Sequence, residues 1–149
     1  MASPNATRDI YQNTLEAVTC PAAHVCFATG YVVTPEFRNR PLALRWNGSA
    51  WKVLPTPVPS GRKWTRLSGV DCLTGKRCVA VGTREEGNAR HIVLEQWNGS
   101  AWSLITYPDI TGAPVALQGV ACRVNMCFAV GTHDTLHRPR YTTLVLRYF

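Results

Sequence analysis

The chain has 149 residues, 46% hydrophobic and 17% charged, which excludes an intrinsically disordered chain and allows one domain with a real core. Its formal net charge of +7 admits acidic partners, but Lys and Arg are spread along the chain with no basic helix, RNA-binding aromatic motif or zinc-finger spacing, so nucleic acid is not an expected partner. No apolar run approaches the roughly 18 residues of a membrane helix, and the opening MASPNATRDIYQNT lacks the basic start and apolar stretch of a signal peptide.

From Leu15 onward the chain aligns on itself as three units, taken as residues 15–66, 67–116 and 117–149 of a single domain. The first runs Leu15-Glu-Ala-Val18-Thr-Cys20, then Cys26-Phe-Ala-Thr-Gly30, then Leu42-Ala-Leu-Arg-Trp46 and Trp51 onward. The second repeats this as Leu67 to Cys72, Cys78 to Gly82, Val93 to Trp97 and Trp102 onward; the third as Leu117 to Cys122, Cys127 to Gly131 and Leu144 to Tyr148. The runs are short and rich in Val, Leu, Phe and Trp, with Gly, Pro, Asn and Ser between them, so they predict strands, four to a unit. Residues 1–14 precede the first unit and stand where a fourth strand of another unit could be completed. A β-sandwich of the same strands would not explain the constant internal order.

The hexapeptide WNGSAW closes the first two units, at Trp46–Trp51 and Trp97–Trp102. Asn-Gly is a strong hairpin signal, because both residues tolerate positive φ. If Asn-Gly forms the two-residue turn, Trp46 faces Ser49; if Gly-Ser forms it, Trp46 faces Trp51 as a cross-strand aromatic pair. The sequence supports both registers. Asn5, Asn47 and Asn98 begin glycosylation sequons by pattern; the last two are read as turn residues.

The six cysteines fall in three pairs, Cys20 with Cys26, Cys72 with Cys78, and Cys122 with Cys127, each flanking the connection between the first two strands of a unit. In a hairpin such a pair lies across the ladder at bonding distance, which favours three disulfides worth roughly 2 kcal/mol each by loop-closure arithmetic. Disulfides in turn favour a secreted or extracellular chain, with a cytoplasmic one as the alternative. Free buried thiols are the second reading. Metal binding is the third, and only the first loop holds a histidine, His24; no metal and no cofactor are expected.

The pattern L-x-x-V-x-C, C-x-A-x-G, L-x-x-W-N-G-x-x-W resembles Cys-containing β-propeller repeats of actinobacterial proteins, distantly kelch-like, and the likeness covers nearly the whole chain from Leu15. The resemblance implies an all-β fold of three four-stranded antiparallel blades. Three blades do not close a ring, so a homodimer making a six-bladed propeller is the expected assembly.

In a blade the connections after the second and fourth strands share one end, and here these vary between units while the other end is uniform. Variable loops on a constant frame are where binding concentrates. Tyr31, Arg38, Trp64, Arg66, Arg84, Glu86, His91 and Arg138 lie there and suit a small polar ligand or glycan by stacking and bidentate hydrogen bonding. Trp64 is the single Trp outside the hexapeptides, hence the leading stacking candidate. A non-enzymatic binding module is the first functional reading. The alternatives are a hydrolase or lyase using His133, Asp134 and His137, where a histidine beside a carboxylate could serve as base, and a protein-interaction scaffold.

Overall fold

A computed structural model of the protein describes residues 4–5, 11–59, 64–87, 89–107, 115–124, 126–134 and 141–148. Among them every regular element is a strand, so the expected all-β class holds. The strands follow one another as antiparallel meanders. The first meander is β1 (Gln12–Ala22), β2 (Val25–Val33), β3 (Asn39–Trp46) and β4 (Trp51–Leu54). The second is β5 (Trp64–Thr74), β6 (Arg77–Glu86), β7 (Ala89–Trp97) and β8 (Trp102–Leu104). The third is β9 (Val115–Arg123), β10 (Met126–Asp134) and β11 (Tyr141–Tyr148). Among the described residues a single parallel bridge, Asn39 to Trp64, joins the first two meanders into one sheet, the third is a separate sheet, and neither sheet closes on itself. Gln12 to Thr14 already belong to β1, so that part of the N-terminal segment extends a first strand.

Each repeat motif now has a physical cause. At Leu15, Leu67 and Leu117 the ladder shifts register by one residue, leaving Glu16, Ser68 and Gln118 unpaired as bulges. The bulge pushes the preceding carbonyl into the neighbouring strand, and the glycine of C-x-A-x-G receives it. A Cβ on Gly30, Gly82 or Gly131 would collide with the carbonyl oxygen of Thr14, Arg66 or Ala116. The L-x-x-V and C-x-A-x-G motifs are therefore two halves of one bulge.

The disulfides form as expected: Cys20–Cys26, Cys72–Cys78 and Cys122–Cys127, with Cα atoms 3.9–4.0 Å apart across the hairpins, and no described cysteine is free. The WNGSAW register resolves as Trp46 opposite Trp51 and Trp97 opposite Trp102. Gly48 and Gly99 take φ of 99° and 101°, a region that favours glycine.

Opposed residues on an antiparallel ladder share a face, so the register lists define two faces per meander. The forward face carries Phe27, Thr29 and Ala43 in the first meander and Val79, Val81 and Leu94 in the second. The rear face carries Ala80, Val93 and Glu95 in the second and Ala129, Leu144 and Leu146 in the third. One core packs the forward face of the first meander on the rear face of the second, around Phe27, Leu67, Trp97 and Trp102. A second core packs the next pair the same way, around Val81, Leu117 and Leu146.

The first strands lie side by side, held by Asp71. Its Oδ1 accepts from Thr19 Oγ1 of β1 at 2.9 Å and from the N–H of Cys72 at 2.8 Å, and its Oδ2 accepts from the N–H of Cys122 of β9 at 2.7 Å. Ser68 Oγ adds a bond to the carbonyl of Leu117, and Gly69 passes so close to Gly119 that a Cβ would lie 3.0 Å from its Cα.

Candidate functional site

The two ends of the molecule differ, as the repeats lead one to expect. The disulfides and WNGSAW turns gather at one end: Gly48 lies against His24 and Gly99 against Lys76, both in the turns between first and second strands. At the other end, the strand termini of all three meanders surround a groove of about 320 Å³. Its floor comes from Asn39 at the start of β3, Thr65 and Arg66 at the start of β5, and Thr83 near the end of β6. Trp64, Glu85 and Arg90 form its wall, and Ala116 of β9 closes it.

Local pairing explains these positions. Trp64 opens β5 opposite Glu85, and Arg66 stands opposite Thr83, one step before the bulge at Ser68. The Asn39–Trp64 bridge brings β3 to the same spot. Trp64 is 41% exposed where it lines the groove. Arg90 Nε donates to Glu85 Oε1 at 2.9 Å on the rim, and Arg66 lies 4.0 Å from Glu16, the bulge residue of β1.

The floor is chemically unusual. Thr65 and Thr83 are 1% and 5% exposed, yet neither hydroxyl has a hydrogen-bond partner, and the buried Oδ1 of Asn39 has none either. A buried polar atom without a partner costs about 1–3 kcal/mol. Three residues that line one opening thus each hold an unpartnered polar atom just beneath its surface, unspent hydrogen-bonding capacity gathered at a single place.

Of the residues read from sequence as ligand-binding, the structure brings Trp64 and Arg66 into this groove. Arg84 instead lines a neighbouring groove with Ile92, Leu104 and Tyr107. His91 Nε2 sits 3.9 Å from Glu86 Oε2, outside the groove. Tyr31 is half-buried opposite Pro41, and Arg38 is exposed in the β2–β3 connection, its N–H donating to Thr34 Oγ1. Arg138 lies outside the described residues. Of the catalytic alternative, His133 and Asp134 are the last two residues of β10, and His137 lies outside the described residues. Among the described residues no three His, Cys, Asp or Glu side chains group as metal ligands.

The chain has no match among protein-family models, curated proteins or solved structures. The site must therefore be read from its own chemistry. Sequence reasoning missed Asn39, Thr65 and Thr83. The usable signal was asymmetry between repeats: where the second unit has Thr65 and Thr83, the first has Asn13 and Tyr31, and the third has Val115 and Thr132. It also passed over an exposed aromatic pair. Tyr11 and Phe37 stand with ring centroids 5.4 Å apart beside the β2–β3 connection, and Phe37 holds a φ of 55°.

Proposed function

We propose that this chain is a non-catalytic binding module on a β-propeller frame, taking a hydroxyl-rich ligand, a saccharide, in the groove at Trp64. The observation that carries the reading is that three residues with unpartnered buried polar atoms, Asn39, Thr65 and Thr83, line one groove together with the partly exposed Trp64; a ligand hydroxyl reaches those atoms through a small side-chain rotation. A sugar hydroxyl both donates and accepts, so it satisfies an amide oxygen and a threonine hydroxyl alike. The apolar C–H face of a pyranose suits the flat indole, and the Glu85–Arg90 pair can accept and donate at the rim. A volume near 320 Å³ is at the small end of ligand sites and fits one or two rings.

The propeller frame is supported by three meanders that follow one another in the same sense, forward face on rear face, with β1, β5 and β9 side by side. Their likeness to Cys-containing actinobacterial repeats is part of the same proposal. Three disulfides suit an oxidising compartment, so we place the module outside the cell. No helix of the described residues is long and apolar enough to cross a membrane.

The test is a saccharide panel read by calorimetry and Trp fluorescence. Binding by the parent chain is expected to weaken roughly tenfold or more in Trp64→Ala and in the Thr65→Val, Thr83→Val double variant, the latter melting no lower than the parent because each valine removes an unpartnered buried hydroxyl. Silence of the parent across neutral, acidic and amino sugars would overturn the reading, as would binding that ignores all these substitutions.

A further inference from the structure

The cores between meanders define what each sheet face is built to meet, and two faces in the chain have not met it. On the third meander the forward face carries Phe128, Val130 and Val145, with Val130 opposite Val145, Phe128 and Val130 opposite Ala121 and Gly119 of β9, and Arg147 opposite Phe128 at its edge. These residues are 41%, 48% and 62% exposed. Their counterparts Phe27, Thr29 and Ala43 are fully buried on the second meander, and Val79, Val81 and Leu94 are buried on the third.

On the first meander the rear face shows the reciprocal deficit. Leu15 and Val18 of β1 are 44% and 64% exposed, whereas Leu67, Val70 and Leu117 at the same repeat positions are buried. Trp46 and Trp51 are half-buried, whereas Trp97 and Trp102 are covered by Phe27. Val32, Leu42 and Leu44 on this face are already buried, so what remains open is the β1 edge of the face and the Trp pair.

We propose that these two surfaces mate between copies: the forward face of the third meander in one chain covers the rear face of the first meander in a second chain. The contact reuses the geometry of the two internal cores. Phe128 meets Trp46 and Trp51 as Phe27 meets Trp97 and Trp102, and Val130 and Val145 approach Leu15 and Val18. The occupant is a second copy because the chain itself carries both halves of an interface that it already builds twice internally. Such a contact is heterologous, joining different patches on the two partners, and it closes when the rotation it imposes completes a ring. Two copies place six meanders in that ring, within the range of closed propellers. The inference rests on these faces and is independent of what the Trp64 groove binds.

The experiment is sedimentation velocity on the oxidised chain over a dilution series, with two variants at exposed positions. Wild type is expected to sediment at twice 16.5 kDa and to dissociate on dilution. Val145→Asp damages the forward face and Val18→Lys the rear face; each alone is expected to weaken self-association roughly tenfold or more. Mixed together, they are expected to recover a dimer, because one intact pair of faces remains and Asp meets Lys across the other. Should Val145→Asp alter the far-ultraviolet circular dichroism, Phe128→Ser reads the same face. A wild-type chain monomeric at every concentration overturns the proposal. So does a dimer insensitive to Val18→Lys, which would mean forward face on forward face, and so does an assembly larger than two chains, which would mean that the rotation does not close on a pair.

Discussion

In β3–β4 and again in β7–β8 the same six residues build the same hairpin. The Trp pairs have ring centroids 5.8 Å apart in both, with interplanar angles of 48° and 47°. Asn47 Oδ1 accepts from the N–H of Ser49, its hydroxyl and the N–H of Ala50, all at 2.9–3.0 Å, and Asn98 does the same for Ser100 and Ala101. Yet Trp97 and Trp102 are 5% exposed while Trp46 and Trp51 stay half-buried. What differs is the neighbour. Phe27 of the first meander packs on the second pair, at 5.8 and 6.2 Å, and no described forward face packs on the first. Local sequence fixes a hairpin's geometry; its place in the repeat order fixes its energetic weight.

The largest expected effect breaks that comparison directly. Trp97→Ala removes an indole from a closed core and should cost about 3–5 kcal/mol, whereas Trp46→Ala in the dilute chain should cost about 1–2 kcal/mol. Urea denaturation of the oxidised protein reads both. Phe27→Ala should be strongly non-additive with Trp97→Ala and additive with Trp46→Ala. Equal costs for the two Trp variants would show that contacts within the hairpin, not the neighbouring meander, carry the energy.

A second difference lies two residues before each hexapeptide, where Leu44 in β3 is replaced by Glu95 in β7 and restored as Leu146 in β11. Glu95 is fully buried, neither carboxyl oxygen has a hydrogen-bond partner, and burial raises its pKa from 4.5 to about 8. The folded chain therefore holds a proton that the unfolded chain releases above pH 4.5. Stability from this group is highest below pH 4.5, falls as the pH rises towards 8, and levels off beyond it. The loss is on the order of a few kcal/mol across that window. Glu95→Leu should flatten the dependence and raise stability most at the alkaline end, measured as urea midpoints at successive pH values. An unchanged slope would mean that Glu95 is solvated or paired.

Much of this architecture was legible because it is local or repeated. The disulfides follow from cysteines that flank a hairpin, and the strand order follows from three parallel readings of one pattern. The hairpin register was not legible, since both turns suit Asn-Gly-Ser; the decision falls to the Asn side chain, which takes the place of a backbone carbonyl as acceptor for Ala50 and Ala101. The groove was half legible. Trp64 and Arg66 stand out by residue type, but Asn39, Thr65 and Thr83 matter only because β3, β5 and β6 converge and leave them unpartnered. Asp71 escaped notice for a related reason: between Val70 and Cys72 it looks like an ordinary polar strand position, and its role depends on β1 and β9 arriving on either side.

The smallest expected effect tests the part of the comparison that should not differ. Asn47→Ala and Asn98→Ala each delete one acceptor serving three donors at an exposed turn, which should cost about 1 kcal/mol. Because those bonds are internal to each hairpin, the two losses should agree even though the Trp losses do not. Asn→Asp retains the acceptor oxygen and should recover most of the stability at either site. If the Asn98 variant cost much more than the Asn47 variant, the turn would be transmitting strain into the Trp97–Trp102 core, and the separation between hairpin geometry and neighbour packing would fail at the residue where it is cleanest.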